Sequence, residues 1–229
     1  MIPSIKLLCR WCSIPITLPI RSGPLKGFKW SAGCGARFLR GTYCAREMAV
    51  YQRYVKPGNT VFDIGAHVGY LSAVFTRLSA PGGRVYAFEP CAVNGAFIRH
   101  HLRINHLENV QLIQAAVGEK NGQARFDNAQ GSGRGSVQPE GKVPVQMVSL
   151  DDLMADRRLP APDFIKMDIE GGEIGALTGG RECISTSRPI MFISIHGAKA
   201  HEFVMNFLSD LNYRAELFPN STNRVIAIP

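Results

Sequence analysis

At 229 residues, with 45% hydrophobic, 9% aromatic and 19% charged side chains, the chain can bury a proper core as one α/β domain with an extension, which excludes a disordered or fibrous protein. Its formal net charge of +8 is unevenly placed: residues 1–60 hold ten Lys or Arg against one acid, Glu47, while the other 169 carry 16 basic and 17 acidic side chains. Such asymmetry points to an anionic partner, a nucleotide-linked substrate or an acidic membrane surface before nucleic acid, or else to a solvated basic arm.

Residues 1–40 form a basic, Pro- and Gly-rich extension ahead of the main domain, 41–229. The apolar opening, 2–20, is broken by Lys6, Arg10 and three prolines. It therefore reads neither as a membrane span of about 20 apolar residues nor as a signal peptide. A short strand is expected within 26–32. The one C-x-x-C, Cys9 and Cys12, lacks the second close pair of a zinc site, so no metal is expected. Scattered reduced thiols suit a cytoplasmic protein. Residues 44–55 have a helical pattern, closed by the turn at 56–59.

The stretch 61–72, VFDIGAHVGYLS, organises the rest of the chain. A short apolar run predicts a buried parallel strand at 60–64, then a glycine turn, then a helix at 69–79. This is the first half of a nucleotide-binding βαβ unit. The dinucleotide fingerprint G-x-G-x-x-G needs a middle glycine for the pyrophosphate, and here that place is His67. Asp63, just before Gly65, would repel a phosphate and suits a cationic ligand. S-adenosylmethionine, with an amino group, a sulfonium and no phosphate, is the cofactor these residues favour. The turn residues Gly65, Ala66, His67 and Gly69 are candidates for contacting it. A second strand at 84–88 ends in Glu89, 24 residues after Gly65, where a carboxylate can accept both ribose hydroxyls, with Pro90 beside it.

A helix is expected at 90–105. His100, His101 and His106 lie on it or at its end and read as solvated. A strand at 110–116 places Ala116 and Val117 beside the adenine. The glycine-rich stretch 131–135 is a substrate lid or a hairpin connection. A strand is expected at 143–148, then a short helix for which Asp151 is the expected cap. The substrate pocket is expected from the first 40 residues and the 127–142 loop. The strand at 164–167 carries Lys166, whose burial demands a partner. The acid-rich turn after it, Asp168-Ile169-Glu170-Gly171-Gly172-Glu173, lies where open α/β sheets bind ligands. A fifth strand at 190–195 ends in His196, a candidate general base beside the same cleft. A helix at 199–211 and two antiparallel strands, 213–217 and 224–228, close the chain.

The pieces GTY at 41–43, VKPGNTVFDIGAHVGYLS, GRVYAFEP, NHLENVQL, AAVGEKNG, VSLDDL, DFIKMDIEGGE and RPIMFISIHG occur in this order between 41 and 213. In that combination the chain resembles the FkbM family of S-adenosylmethionine-dependent methyltransferases. The resemblance implies a Rossmann-like class I methyltransferase fold: a mostly parallel sheet, helices on both faces and an antiparallel C-terminal strand pair. It also implies a leading helix and GTY turn that cover the cofactor, and acceptors such as sugars, glycans and natural-product alcohols. Many members have an acid where this chain has Cys44, and a glutamate where it has Ser194, which removes the expected acid beside His196. The expected reaction is O-methylation, with His196 as base, Asp168 and Glu170 positioning acceptor or cofactor, and Lys166 at the same centre. A divalent metal on Asp168 and Glu170 is a weaker variant. The rivals are a non-catalytic binding module working through the basic first 60 residues, and a nicotinamide-dependent oxidoreductase, which His67 disfavours.

Overall fold

The computed structural model describes residues 16–127, 135–156 and 159–229. A short hairpin, β1 (Thr17–Pro19) and β2 (Lys29–Ser31), precedes helices α1 (Ala36–Arg40) and α2 (Met48–Tyr54). Then come β3 (Thr60–Ile64), α3 (Tyr70–Ser79), β4 (Arg84–Phe88), α4 (Ala92–Ile104) and β5 (Val110–Ile113). An excursion supplies β6 (Ala116–Val117), β7 (Gly122–Asp127), β8 (Ser136–Val137), β9 (Val143–Val148) and α5 (Leu150–Ala155). The chain returns through β10 (Phe164–Met167), α6 (Glu173–Thr178), α7 (Arg181–Ser187), β11 (Ile190–Ser194) and α8 (Ala198–Asp210). It ends with β12 (Arg214–Leu217) and β13 (Arg224–Ile228).

The main sheet has the order β12-β13-β11-β10-β3-β4-β5. The five strands from β11 to the β5 edge are parallel, and β13 and β12 join antiparallel at the other edge, as the sequence predicts. Side chains alternate across each strand, so every buried strand feeds two cores. Phe62, Ile64, Ile165 and Met167 pack under α6, α7 and α8. Val61, Val85, Phe164 and Phe192 pack under α2 and α3. The chain moves from β3 toward β5 and then crosses back to β10 on the other side of β3. The strand order therefore reverses between β3 and β10, and a cleft opens at their carboxyl ends.

Ile20, Leu25, Trp30 and Phe38 are buried in the α2/α3 core, so the described part of the first 40 residues packs on the main fold. Trp30 stacks on His101 at 3.7 Å. His101 Nε2 accepts from the Ser31 N–H (3.1 Å), so Nδ1 carries the proton and donates to the Val68 carbonyl (3.0 Å). The expected solvated histidine is thus a buried tertiary clasp at 1% exposure, because β2 lies over the helix face that carries it.

Other local readings change. The strand expected at 110–116 stops at Ile113: Gln114 turns in to donate to the Glu89 carbonyl (3.0 Å), and Ala116–Val117 pairs with β9 in a separate sheet, β6-β9-β7-β8. The helix expected from 44 begins at Met48, since Cys44 has φ +51°. Ser149, not Asp151, caps α5, its hydroxyl accepting from the Asp152 N–H at 3.2 Å. Asp151 instead accepts from the Glu182 and Cys183 N–H groups at the start of α7. The Cys9–Cys12 pair, most of the apolar opening and residues 131–134 of the glycine-rich stretch lie outside the described residues. Among the described residues no helix is long and apolar enough to cross a membrane.

Candidate active site

A cavity of about 640 Å³ occupies the cleft where the strand order reverses. That volume suits a nucleoside-sized ligand together with part of a second molecule. Its floor is the turn after β3. Gly65 has φ +82°, and a Cβ there would stand 2.0 Å from the Asp168 carbonyl oxygen. Glycine is required at 65 by backbone conformation and by the neighbouring strand end. Gly69 similarly abuts Ile98.

Glu89, at the tip of β4, is 4% exposed. Its Oε2 accepts from the His67 N–H (2.8 Å), and its Oε1 from the Cys91 N–H (2.9 Å) and Asn94 Nδ2 (3.1 Å). Burial pushes its pKa up to about 7, against the pull of these donors. His67 is held neutral, its pKa lowered to about 4 by burial and then by Lys166. Ala116, Val117, Phe126 and Met147 make an apolar middle, and Phe38 and Tyr43 an aromatic wall. Phe38 and Tyr43 rings lie 4.5 Å apart, and the Arg37 guanidinium sits 5.8 Å from the Tyr43 ring.

Lys166 and Asp63 face each other across the β10–β3 pair, on the α3 side of the sheet. Their charges lie 3.2 Å apart, with Asp63 fully buried and also accepting from Ser72 Oγ at 2.6 Å. Lys166 Nζ donates further to the Gly65 carbonyl (2.7 Å) and the Ile64 carbonyl (3.3 Å). Burial pulls the ammonium down, but Asp63 and then Asp168 outweigh it, so Lys166 stays charged. Burial of the lysine does have its partner, and that partner is Asp63. Asp63 therefore neutralises Lys166 beneath the turn and does not line the cavity.

At the far end stand Asp168, Glu170 and His196. His196 Nε2 lies 3.7 Å from Asp168 Oδ1 and 3.6 Å from Glu170 Oε2. Glu173, fully buried at the start of α6, binds Nδ1 through Oε1 at 2.8 Å and also receives the Gly171 N–H at 3.1 Å. The acid missing at Ser194 is thus supplied from 23 residues away in sequence. The hydrogen bond to Glu173 raises the His196 pKa against burial, and Asp168 and Glu170 add to it.

Of the residues picked from sequence, Gly65, His67, Glu89, Pro90, Ala116, Val117, Lys166, Asp168 and Glu170 line one cavity. Ala66, Gly69, Asp63 and His196 stand behind or beside it. Gly35, Arg37 and Phe38 also line it, as do Gly135, Ser136 and Val137 on the far side. Sequence reasoning does not single out Arg37, Phe38 or Tyr43, although Tyr43 sits inside the quoted GTY piece; it includes Glu173 among the acids of the turn after β10 but not its bond to His196.

A sequence model of the methyltransferase FkbM domain matches residues 63–215. The chain belongs to the FkbM methyltransferase family. S-adenosylmethionine is the cofactor of this family. Among curated relatives, the chain is 28% identical over 153 residues to the 2-O-methyltransferase NoeI of Sinorhizobium fredii, covering 58% of this chain and 62% of that protein. It is 27% identical over 159 residues to the 31-O-demethyl-FK506 methyltransferase FkbM of Streptomyces tacrolimicus, covering 55% and 60%. The matched stretch thus spans about three fifths of these relatives' length. The crystal structure of methyltransferase FkbM from Methylobacillus flagellatus KT superposes with a TM-score of 0.59 at 22% identity, over 83% of this chain and 52% of that one, which shows the shared fold.

The residues present fit the FkbM cofactor. Glu89 puts hydrogen-bond acceptors of the kind ribose hydroxyls need on the cavity wall, and the middle is apolar, as a purine requires. Lys166, the cation nearest the turn, is already bound to Asp63, so nothing there calls for a phosphate.

Proposed function

We propose that the protein transfers a methyl group from S-adenosylmethionine to a hydroxyl oxygen of a sugar, glycan or natural-product alcohol. The observation that carries this reading is a single cavity with two unlike ends. Glu89 and the turn after β3 form a ribose-binding end, and Asp168, Glu170 and His196 form an acidic end. The two curated relatives, named for O-methylation, support oxygen as the acceptor.

When bound, S-adenosylmethionine supplies a sulfonium methyl for in-line displacement by the acceptor oxygen. Glu89, held in place by the His67 N–H, binds the nucleoside end. Phe38 and Tyr43 close the wall and exclude water. Asp168 and Glu170 orient the acceptor hydroxyl, whose proton passes to the acidic end, where His196 stands behind the two carboxylates as the base. Arg37 and Lys120 on the cavity wall suit an anionic or nucleotide-linked acceptor.

Calorimetric titration with S-adenosylmethionine and S-adenosylhomocysteine tests the reading, on the wild type and on Glu89→Ala. Micromolar binding abolished by the substitution supports it, and transfer of labelled methyl to a panel of sugars and alcohols identifies the acceptor. Binding of NADH in place of either ligand would overturn it.

A further inference from the structure

The acidic end holds more negative charge than its protein partners balance, and we propose that Asp168, Glu170 and His196 are the ligands of a divalent cation of the Mn²⁺ and Mg²⁺ class. One ligand atom from each of the three lies within 4.8 Å of the others. The Nε2 distances to Asp168 and Glu170, 3.7 and 3.6 Å, are too long for hydrogen bonds. They are somewhat wider than the roughly 3 Å between neighbouring ligands of an octahedral ion with bonds near 2.1 Å, so a small contraction completes the set.

Two further observations point to a cation. The first is Glu173. Its carboxylate is fully buried and aimed at His196, with Oε1 on Nδ1 at 2.8 Å, while Oε2 has no hydrogen-bond partner. A carboxylate on one ring nitrogen makes that nitrogen the proton carrier and turns the other nitrogen's lone pair toward a metal, the arrangement that orients metal-binding histidines. The second is the charge count. Asp168, Glu170 and Glu173 bring three carboxylates to one imidazole. The nearest ammonium, Lys166, is committed to Asp63 and two backbone carbonyls. Even with His196 protonated, two negative charges remain on side chains about a third exposed (35% and 36%), where a cation would offset their mutual repulsion. Hard carboxylate oxygens with one imidazole suit Mn²⁺ well and Mg²⁺ more weakly.

Asp168 and Glu170 line the cavity, so an ion bound there keeps its open positions toward the acceptor. Two adjacent hydroxyls of a sugar could fill those positions, and coordination lowers the pKa of a hydroxyl. The substrate class this favours is a vicinal diol, His196 becomes a ligand instead of the base, and the proton of the coordinated hydroxyl is lost to solvent water through the open mouth of the cavity as the oxygen takes the methyl group. This substrate step rests on the methyl-transfer reading; cation binding does not.

The test uses the full chain stripped with a chelator and titrated with Mn²⁺, following loss of the free-ion electron paramagnetic resonance signal. One site per chain is expected, weakened at least tenfold by Glu170→Gln and by His196→Gln, and unchanged by the surface control Asp210→Asn. Thermal midpoints without metal check that each variant is folded, and two variants guard against the loss of one. No Mn²⁺ binding by the wild type at millimolar concentration overturns the proposal. So does binding that neither ligand substitution weakens. A protein that binds S-adenosylmethionine and not Mn²⁺ removes the cation alone. One that binds Mn²⁺ and not S-adenosylmethionine removes the methyl-transfer reading alone.

Discussion

The two ends of the cavity both present carboxylates, but they treat them in opposite ways. At the Glu89 end, the carboxylate meets three N–H donors from the turn, the strand end and α4, which offset part of the cost of burying it. At the acidic end, three carboxylates share one imidazole and one backbone N–H. On the proposed reading, the first end is preorganised by the protein for a hydroxyl-bearing ligand. The second is complete only when something positive or proton-donating arrives. If the proposed reading holds, the difference teaches where selectivity lies: the cofactor end is finished by folding, and the acceptor end is finished by ligands.

The largest expected effect comes from breaking what lies under the finished end. Lys166→Ala leaves Asp63 charged and fully buried with only Ser72 as a donor. Removing one partner of a buried pair costs about 3–5 kcal/mol, and urea denaturation measures it. The double variant Lys166→Met with Asp63→Leu removes both charges and should recover much of that loss. If the single variant is as stable as the wild type, the pair does not support the turn.

A second effect concerns how the amino-terminal segment is held on α4. His101 is buried neutral, its pKa lowered to about 4 by burial. Its unfolded value is near 6.5, so the unfolded chain takes up a proton first as pH falls. The sign is therefore a loss of stability between about pH 6.5 and 4, with full stability above 6.5, amounting to as much as about 3 kcal/mol. His101→Asn should be less stable at pH 7.5 and flatter across this window in thermal midpoint. Equal slopes would show that His101 does not carry the acid sensitivity.

Glu89 gives the third. Its pKa of about 7 makes it a carboxylate above that pH and an acid below. Glu89→Gln should weaken S-adenosylmethionine binding at pH 8.5 by ten- to a hundredfold, within the range of about 1.5–3 kcal/mol for hydrogen bonds to a charged group. At pH 5.5 the gap between the two proteins should narrow, because the wild type then presents a neutral group as well. A gap constant with pH would mean that the carboxylate charge does not hold the cofactor.

Legibility in the sequence tracks contact distance along the chain. The strand, glycine turn and helix at 60–79 and the acid at 89 can be read because their geometry is local. Lys166 can be read as needing a partner, since a buried ammonium always does, but the identity of Asp63 depends on the β10–β3 register, which no local pattern encodes. His101 reads wrongly for the same reason: its helix face looks exposed until β2 covers it. The cavity wall from Gly35 to Phe38 lies in a Pro- and Gly-rich stretch without periodicity, so its aromatic and basic groups carry no positional signal. The acid for His196 is expected two residues away, at the place of Ser194, whereas the fold brings Glu173 to the ring from the start of α6.

Glu173 also provides the smallest and sharpest test of the contrast. It touches neither the cavity nor the cation, so its effect must pass through His196. With Gln at 173 the Nδ1 contact can persist in shape while its negative charge is gone. Outer partners of this kind change metal affinity by about 10–100-fold, and the lower figure is expected here because Asp168 and Glu170 still supply two ligands. S-adenosylmethionine affinity should stay within about twofold, since Glu89 and its donors lie at the other end of the cavity and well-separated sites act nearly independently. Parallel titrations of Glu173→Gln with Mn²⁺ and with the cofactor read both ends in one protein. A loss confined to Mn²⁺ would keep the two ends separate. A comparable loss in both would mean that the buried acid holds the whole cleft, and the contrast between a finished and an unfinished end would fall.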